Sequence, residues 1–79
     1  MQRYNVRVET VDHEFQNVTV VVTPDGTGKY WVIYPTETCD LETKLYDPED
    51  LYTLKGFIKH WLIEEYYADV IWIALESDE

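Results

Sequence analysis

The sequence predicts an α+β domain in which a mainly antiparallel sheet packs one face against a single helix. Three observations predict this class. Apolar residues occupy every second position in three segments before residue 47 and both faces of a fourth segment there, they recur at helical spacing from residue 47 to residue 65, and a short apolar run follows. The element order is therefore β-β-β-β-α-β, within a single domain of residues 1–79 that ends in a frayed acidic tail at residues 76–79. The order leaves open where the last strand joins the sheet.

Valines and aromatic residues define the first three predicted strands. Residues 4–10 alternate between apolar and polar side chains, and residues 17–23 repeat the pattern with valines. Residues 29–35 carry aromatic rings on both faces and stop at Pro35, which cannot donate a ladder hydrogen bond. The segment TPDGTGKY contains a Gly-Lys pair but lacks the other residues of a phosphate-binding loop, so we interpret it as a hairpin turn.

A fourth strand is predicted at residues 39–46, because mainly apolar side chains alternate there with mainly charged ones. One face is expected to be buried, and the other is expected to present two carboxylates to water. The predicted buried face consists of Cys39, Leu41, Thr43 and Leu45, and the predicted solvent face consists of Asp40, Glu42, Lys44 and Tyr46.

The helix is predicted to run from Pro48 to Glu65. Asp47 is a favourable N-cap, Pro48 suits the first helical position, and the acidic Glu49 and Asp50 complement the positive end of the helix dipole. The run ADVIWIALE that follows the helix is apolar on both faces and is predicted to be a central or covered strand. The helix face expected to pack on the sheet consists of Leu51, Leu54, Phe57, Ile58, Trp61 and Leu62.

The formal net charge of −10 is the strongest feature of the composition. It disfavours direct binding to a nucleic-acid backbone, which requires lysine and arginine, and it favours a partner with a basic surface. The charge is uneven: residues 1–36 hold four acidic and three basic residues, a net of −1, whereas residues 37–79 hold twelve and three, a net of −9. The alternative explanation is that acidity only keeps the protein in solution.

Three acidic residues near the end of the predicted helix oppose the local electrostatics. Glu64 and Glu65 lie where the helix dipole is negative, which disfavours each by roughly 0.3–1 kcal/mol when exposed, and Asp69 extends the cluster. Rules of local stability are broken most often at functional surfaces, so these residues are candidates for contact with a partner. A solvated cluster without a partner explains them equally well.

The outer face of the helix offers a second candidate contact. Gly56 lies in the helix interior, where glycine costs about 1 kcal/mol relative to alanine, and it would let another backbone approach closely. Tyr52 and Ile63 flank it as an amphipathic patch. This face, or an open sheet edge, predicts an alternative function as a structural or assembly module that forms a homodimer. A covering loop or scattered apolar residues without function would explain the same pattern.

No pattern in the sequence predicts catalysis, a cofactor or a metal site. His13, Cys39 and His60 are not spaced as paired metal ligands, and residues 40–50 have a lysine where a calcium loop needs an oxygen ligand. We therefore expect a protein without enzymatic activity. A single cysteine, a longest apolar run of only VIWIAL and a polar first segment predict a cytoplasmic protein.

In size, acidity and one-domain α+β layout, the chain resembles the small inhibitors encoded by phages and mobile elements, including anti-CRISPR and DNA-mimic anti-restriction proteins. The resemblance is one of composition and layout and covers no alignable motif. It implies an acidic surface that occupies the basic nucleic-acid groove of a host enzyme, in competition with nucleic acid and weakened by salt. The residues expected to make this contact are the carboxylates Asp40, Glu42, Asp47, Glu49 and Asp50, with Tyr46 and Tyr52 as apolar anchors.

Overall fold

A computed structural model of the protein describes residues 1–35 and 40–78. The elements are β1 (Gln2–Glu9), β2 (Phe15–Pro24), β3 (Tyr30–Pro35), β4 (Leu41–Tyr46), α1 (Leu54–Glu65) and β5 (Asp69–Asp78). The five strands form one antiparallel sheet in the order β4-β3-β2-β1-β5. The α+β class and the element order predicted from the sequence are confirmed.

The core lies between α1 and one face of the sheet, which we call the helix side; the opposite face is the open side. Alternation puts a valine or tyrosine at every second position of the central strands on the helix side. Burial of each large apolar side chain stabilises the fold by roughly 1.5–3 kcal/mol. The buried residues are Tyr4, Val6, Val8, Val20, Val22, Val32, Tyr34, Tyr46, Phe57, Ile58, Leu62, Tyr67 and Val70.

The helix begins at Leu54 rather than at Pro48, because Thr53 and not Asp47 is its N-cap. Thr53 has an extended backbone, with φ −68° and ψ 164°, and its hydroxyl oxygen accepts a hydrogen bond from Gly56 N at 3.1 Å. This bond satisfies one of the amide groups that have no partner within the first helical turn. The N-cap predicted at Asp47 is wrong.

Residues 47–50 form a tight turn between β4 and the helix. Asp50 N donates to Asp47 O at 2.9 Å, and Glu49 N donates to Asp47 Oδ1 at 3.0 Å. Aspartate and proline suit such a turn as well as they suit a helix start, so the sequence pattern fits both structures. Leu51, predicted to face the core, is 97% exposed just after the turn. The placement of Glu49 and Asp50 at the positive end of the helix is therefore wrong.

The two faces of β4 are the reverse of those predicted. The register with β3 places Glu42 opposite the buried Tyr34, so Glu42 and Lys44 lie on the helix side. Tyr46 lies on the same side and is 6% exposed, whereas Leu41 on the open side is 72% exposed. A period of two fixes which residues share a face, but it does not fix which face is buried. The predicted solvent face of this strand is thus the face that the helix covers.

β5 is an edge strand beside β1 and not the central or covered strand predicted. Its apolar content does not reflect burial on both faces, since Ile71, Trp72 and Leu75 are all exposed. Two register shifts in the pairing with β1 break the alternation of side chains along the strand. The strand continues to Asp78, so residues 76–78, predicted as a frayed tail, belong to the sheet.

His13 has a backbone conformation that favours glycine. It lies in the β1–β2 turn with φ 64°, in the left-handed region, and its amide donates to Thr10 O at 3.0 Å. The β2–β3 turn uses glycine for this kind of conformation, since Gly26 and Gly28 both have φ 91°. The β1–β2 turn is therefore not optimised for stability.

We expect His13→Gly to raise the free energy of unfolding by about 0.5–1 kcal/mol, because it removes the strain of a side chain in the left-handed region. The side-chain contact with Glu9 that it also removes, 3.0 Å between Nδ1 and Oε2, involves a side chain that is 83% exposed and contributes little. Gly28→Ala introduces the same kind of strain and should lower the free energy of unfolding by a similar amount. Thermal unfolding of both variants measures these changes. Shifts of the same sign would contradict the assignment of strain.

Candidate protein-binding surface

One end of the sheet is rich in acidic residues. Because the strands are antiparallel, β1 ends here, β2, β4 and β5 begin here, and α1 ends here. We call this surface the acid-rich end and define it by residues 9–14, 40–42 and 64–69. These segments contain eight acidic residues and no lysine or arginine. The eight are Glu9, Asp12, Glu14, Asp40, Glu42, Glu64, Glu65 and Asp69.

Backbone contacts bring the segments of the acid-rich end together. Ala68 N donates to Glu9 O at 2.8 Å, and Glu9 is paired with Asp69 across β1 and β5. From β5 to β4 the sheet spans four interstrand distances, about 19 Å. The carboxylates are thus spread across the width of the sheet, so they form a surface rather than a single binding point.

Three carboxylates of the acid-rich end are exposed and make no hydrogen bond or ion pair with other described residues. They are Asp12, Glu14 and Glu64. Asp12 and Glu14 flank the strained His13, and Glu64 lies in the last turn of the helix, where the dipole opposes its charge. Within residues 1–35 and 40–78 no neighbouring group compensates these three charges, so they are the carboxylates best placed to meet a partner.

Glu42 and Glu65, in contrast, are held by other residues of the chain. Lys44 Nζ lies 3.0 Å from Glu65 Oε1, and Tyr34 Oη donates to Glu65 Oε2 at 2.9 Å. Tyr66 Oη donates to Glu42 Oε1 at 3.3 Å. We call these five residues the clasp, because they fasten the end of α1 to β3 and β4. The predicted partner residues Glu42 and Glu65 therefore have a structural role.

The clasp shifts the pKa values of its members. Partial burial raises the pKa of Glu65, but hydrogen bonds from Lys44, Tyr34 and Tyr66 and the charge of Lys44 outweigh burial and hold this pKa below its ordinary value. Burial raises the pKa of Tyr34, and the hydrogen bond to Glu65 raises it further. Burial and then the charges of Glu42 and Glu65 raise the pKa of Tyr66. Both tyrosines are therefore protonated donors at neutral pH.

The lowered pKa of Glu65 predicts a loss of stability in acid. A carboxyl group whose pKa is lower in the folded state stabilises the fold when ionised, and this contribution is lost as the pH falls from the ordinary glutamate value through the folded value. We expect Glu65→Gln to lower the free energy of unfolding at neutral pH, with the difference from wild type shrinking below both pKa values. Denaturant unfolding over a pH series measures it. Glu64→Gln is the matched control and should show no such trend; a constant gap for Glu65→Gln would contradict the prediction.

Comparison with known proteins does not supply a role for this surface. No protein-family model, curated protein or solved structure matches the chain. A role for the acid-rich end therefore depends on the charge and geometry of the residues that form it.

The predicted partner residues Asp47, Glu49 and Asp50 lie at the opposite end of β4 from Asp40. Since a strand advances about 3.3 Å per residue, Asp40 and Asp47 are about 23 Å apart. The side chains of Asp47 and Asp50 accept hydrogen bonds from the amides of Glu49 at 3.0 Å and of Leu51 at 2.7 Å. The structure thus divides the predicted acidic stretch into two separate groups, of which the second stabilises a turn.

The two tyrosines predicted as anchors have different environments. Tyr46 is buried, its hydroxyl donates to Tyr52 O at 2.8 Å, and its ring centroid lies 5.0 Å from that of Phe57. It fastens the loop before the helix to the core and is not accessible to a partner. Tyr52 is exposed and stacks on His60 with 5.1 Å between ring centroids.

Gly56 and Ile63, predicted as a contact patch on the outer helix face, both have neighbours within the chain. A Cβ atom on Gly56 would lie 3.2 Å from Thr53 Oγ1 and 3.9 Å from Tyr52 Cδ1. Glycine here leaves room for the N-cap side chain, which accounts for it without a second backbone. Ile63 is partly buried against the core. A homodimer contact through this face stays a prediction.

The open side of the sheet was not identified from the sequence as a surface. It carries the exposed aromatic residues Phe15, Trp31 and Trp72, together with Arg3 and Arg7 on β1. The guanidinium carbon of Arg7 lies 5.5 Å from the ring centroid of Phe15. The aromatic residues on both faces of the third predicted strand were the available signal. The apolar and basic groups of this side lie between the acid-rich end and the opposite end of the sheet.

Within residues 1–35 and 40–78, no group of three or more histidine, cysteine, aspartate or glutamate residues is placed to hold a metal ion. Cys39, predicted to face the core, lies outside the described residues. No helix in the described part of the chain is long and apolar enough to cross a membrane.

Proposed function

We propose that this chain is a binding protein without catalytic activity, whose acid-rich end occupies the basic, nucleic-acid-binding surface of a partner protein. The proposal rests on one observation: the segments that meet at this end contain eight acidic residues and no lysine or arginine. In this proposal the protein is a nucleic-acid mimic, which inhibits its partner by occupying the partner's basic nucleic-acid groove. The proposal moves the contact from a face of β4 to the end of the sheet.

The carboxylates that have no partner among the described residues support this proposal. Asp12, Glu14 and Glu64 are exposed and can accept hydrogen bonds from lysine or arginine side chains that otherwise hold phosphate oxygens. Charge-assisted bonds of this kind are stronger than bonds between neutral groups. The same side chains would supply the acceptors that a nucleic-acid backbone supplies, which makes the binding competitive.

The strained turn at His13 also supports a role for the acid-rich end. His13 adopts φ 64° between the two exposed carboxylates of Asp12 and Glu14, although glycine is used for this conformation in the β2–β3 turn. Backbone strain that persists in a folded protein occurs preferentially at functional sites. Here it holds the two carboxylates on a tight loop at the edge of the surface.

One basic residue, Lys44, contacts the acid-rich end through Glu65, at 3.0 Å within the clasp. The other five lie outside its segments: Arg3 and Arg7 are on the open side of the sheet, Lys55 and Lys59 are on the helix, and Lys29 is in the β2–β3 turn. The negative charge of the acid-rich end attracts a basic partner, which raises the rate of productive encounters at low salt.

The test is capture of partners from a lysate by the immobilised protein, followed by affinity measurements over a salt series. We expect a partner with a basic, nucleic-acid-binding surface, an affinity that falls as salt rises, and competition by duplex DNA or RNA. Capture of partners that bind no nucleic acid, or an affinity that is indifferent to salt, would contradict the proposal.

A further inference from the structure

β4 is an open edge of the sheet that can accept another strand. It pairs with β3 on one side, and among the described residues no strand lies on its other side. Its six residues pair with β3 without a register shift and include no proline. β5, the opposite edge, has two register shifts, and irregularities of this kind protect an edge from further pairing. Of the two edges, β4 has the geometry that suits an added antiparallel strand.

The sequence of β4 is complementary to itself in the antiparallel direction. In its segment LETKL, reversal of direction exchanges the acid and the base and leaves the leucines and the threonine in place. When two copies pair around Thr43, Leu41 of one copy lies opposite Leu45 of the other, and Glu42 lies opposite Lys44. The leucines share the open side and the charged residues share the helix side, so each pair forms on its own face.

We propose that two copies of this chain associate through β4, about a two-fold axis at Thr43, to form one continuous ten-stranded sheet from two five-stranded ones. This association goes beyond the binding of a basic partner, and it uses the side of the sheet rather than the exposed carboxylates of its end.

Charge selects this register over its neighbours. An axis between two residues would pair side chains from opposite faces, so the allowed registers centre the axis on a residue. Axes at Glu42 or at Lys44 would each place that charged residue opposite its own copy. Like charges directly opposite one another are destabilising. The axis at Thr43 pairs unlike charges twice.

The apolar residues of β4 provide a driving force for association. Leu41 is 72% exposed and Leu45 is 42% exposed, and the pairing would remove both from water along the contact between the copies. The charged pair forms without breaking the clasp. Lys44 uses one of its three N–H donors on the clasp, and Glu42 uses one of its two carboxylate oxygens.

The first test exchanges charges between copies. Glu42→Lys puts lysine at both charged positions of β4, and Lys44→Glu puts glutamate at both, so each variant alone pairs like charges. We expect each to raise the dimer dissociation constant by about tenfold. An equal mixture pairs unlike charges at both positions and should form a heterodimer where neither variant self-associates. Sedimentation and native mass spectrometry measure this. Glu64→Lys, with the same change in charge away from β4, should leave self-association unchanged.

The second test leaves the clasp intact and reports on the register. Directly opposed residues of antiparallel strands have Cα atoms about 4.5–5.5 Å apart, within the range that a disulfide spans. Thr43→Cys in a Cys39→Ser background should therefore oxidise to a covalent dimer much faster than Leu51→Cys in the same background, although Leu51 is 97% exposed. A chain that stays monomeric at every concentration, or a Thr43→Cys variant that cross-links no faster than the control, would overturn the proposal.

Discussion

We expect Leu62→Ala to lower the free energy of unfolding by about 2–5 kcal/mol. Leu62 is 0% exposed and packs between the helix and the sheet. Its truncation loses the transfer free energy of the side chain and leaves a cavity that the structure fills only in part. A domain of this size has a total stability on the order of 5–10 kcal/mol, so this one change removes a large fraction of it. Denaturant unfolding measures the loss.

Leu51→Ala is the matched control, because the sequence pattern assigns both leucines to the same buried helix face. Leu51 is 97% exposed and precedes the helix, so its truncation should change the free energy of unfolding by no more than about 0.5 kcal/mol. Equal effects of the two substitutions would mean that the helix begins near Pro48 and buries Leu51. They would contradict Thr53 as the N-cap.

We expect reversal of Asp12, Glu14 and Glu64 to lysine to weaken binding of a basic partner on the order of 100-fold. Each substitution replaces an attraction with a repulsion, and exposed pairs contribute up to roughly 1 kcal/mol. Most of the change should be in the association rate, because charges at the rim of an interface act mainly on encounter. The three residues have no partner among the described residues, so the fold should keep its stability. Binding kinetics with the captured partner measure the effect.

Reversal of Glu49, Glu76 and Asp78 is the control for this variant. These residues are also exposed and give the same change in net charge, but they lie at the opposite end of the sheet. The control should lose only the part of the attraction that depends on total charge. If it weakens binding as much as the first variant does, net charge and not the acid-rich end determines binding.

The elements could be predicted from the sequence because each depends on short-range periodicity. Alternation and helical spacing identified every strand and the helix, and the inner helix residues Phe57, Ile58 and Leu62 are buried as predicted. The start of the helix could not be placed, since Asp47 and Pro48 fit a turn equally well. Only packing distinguishes Thr53 from Asp47 as the N-cap.

The burial of β4 could not be predicted because it depends on residues far along the chain. Glu42 and Lys44 are accommodated on the helix side by Tyr66 and Glu65, which lie more than 20 residues later. Burial of the Tyr46 ring against Phe57 stabilises this choice of face more than burial of Leu41 would stabilise the opposite one. Local polarity alone favours the opposite choice of face.

The acid-rich end was only partly visible in the sequence. Its residues in the second half of the chain, among them Glu64 and Asp69, were identified as candidates from the charge distribution. The contribution of Glu9, Asp12 and Glu14 comes from the first half, where the net charge is close to zero. Antiparallel pairing of β1 with β5 brings these segments to one surface, and no pattern within either segment indicates that pairing.

The position of β1 between β2 and β5 has a consequence for how the protein is made. Gln2 pairs with Val22 of β2 on one side and with Asp78 of β5 on the other, so β1 has both of its neighbouring strands only when β5 is present. Until β5 has been synthesised, a nascent chain exposes the bare backbone of β1 and the valines that the helix should cover. The domain is therefore expected to fold only after β5 has been synthesised, and until then the chain is most in need of a chaperone.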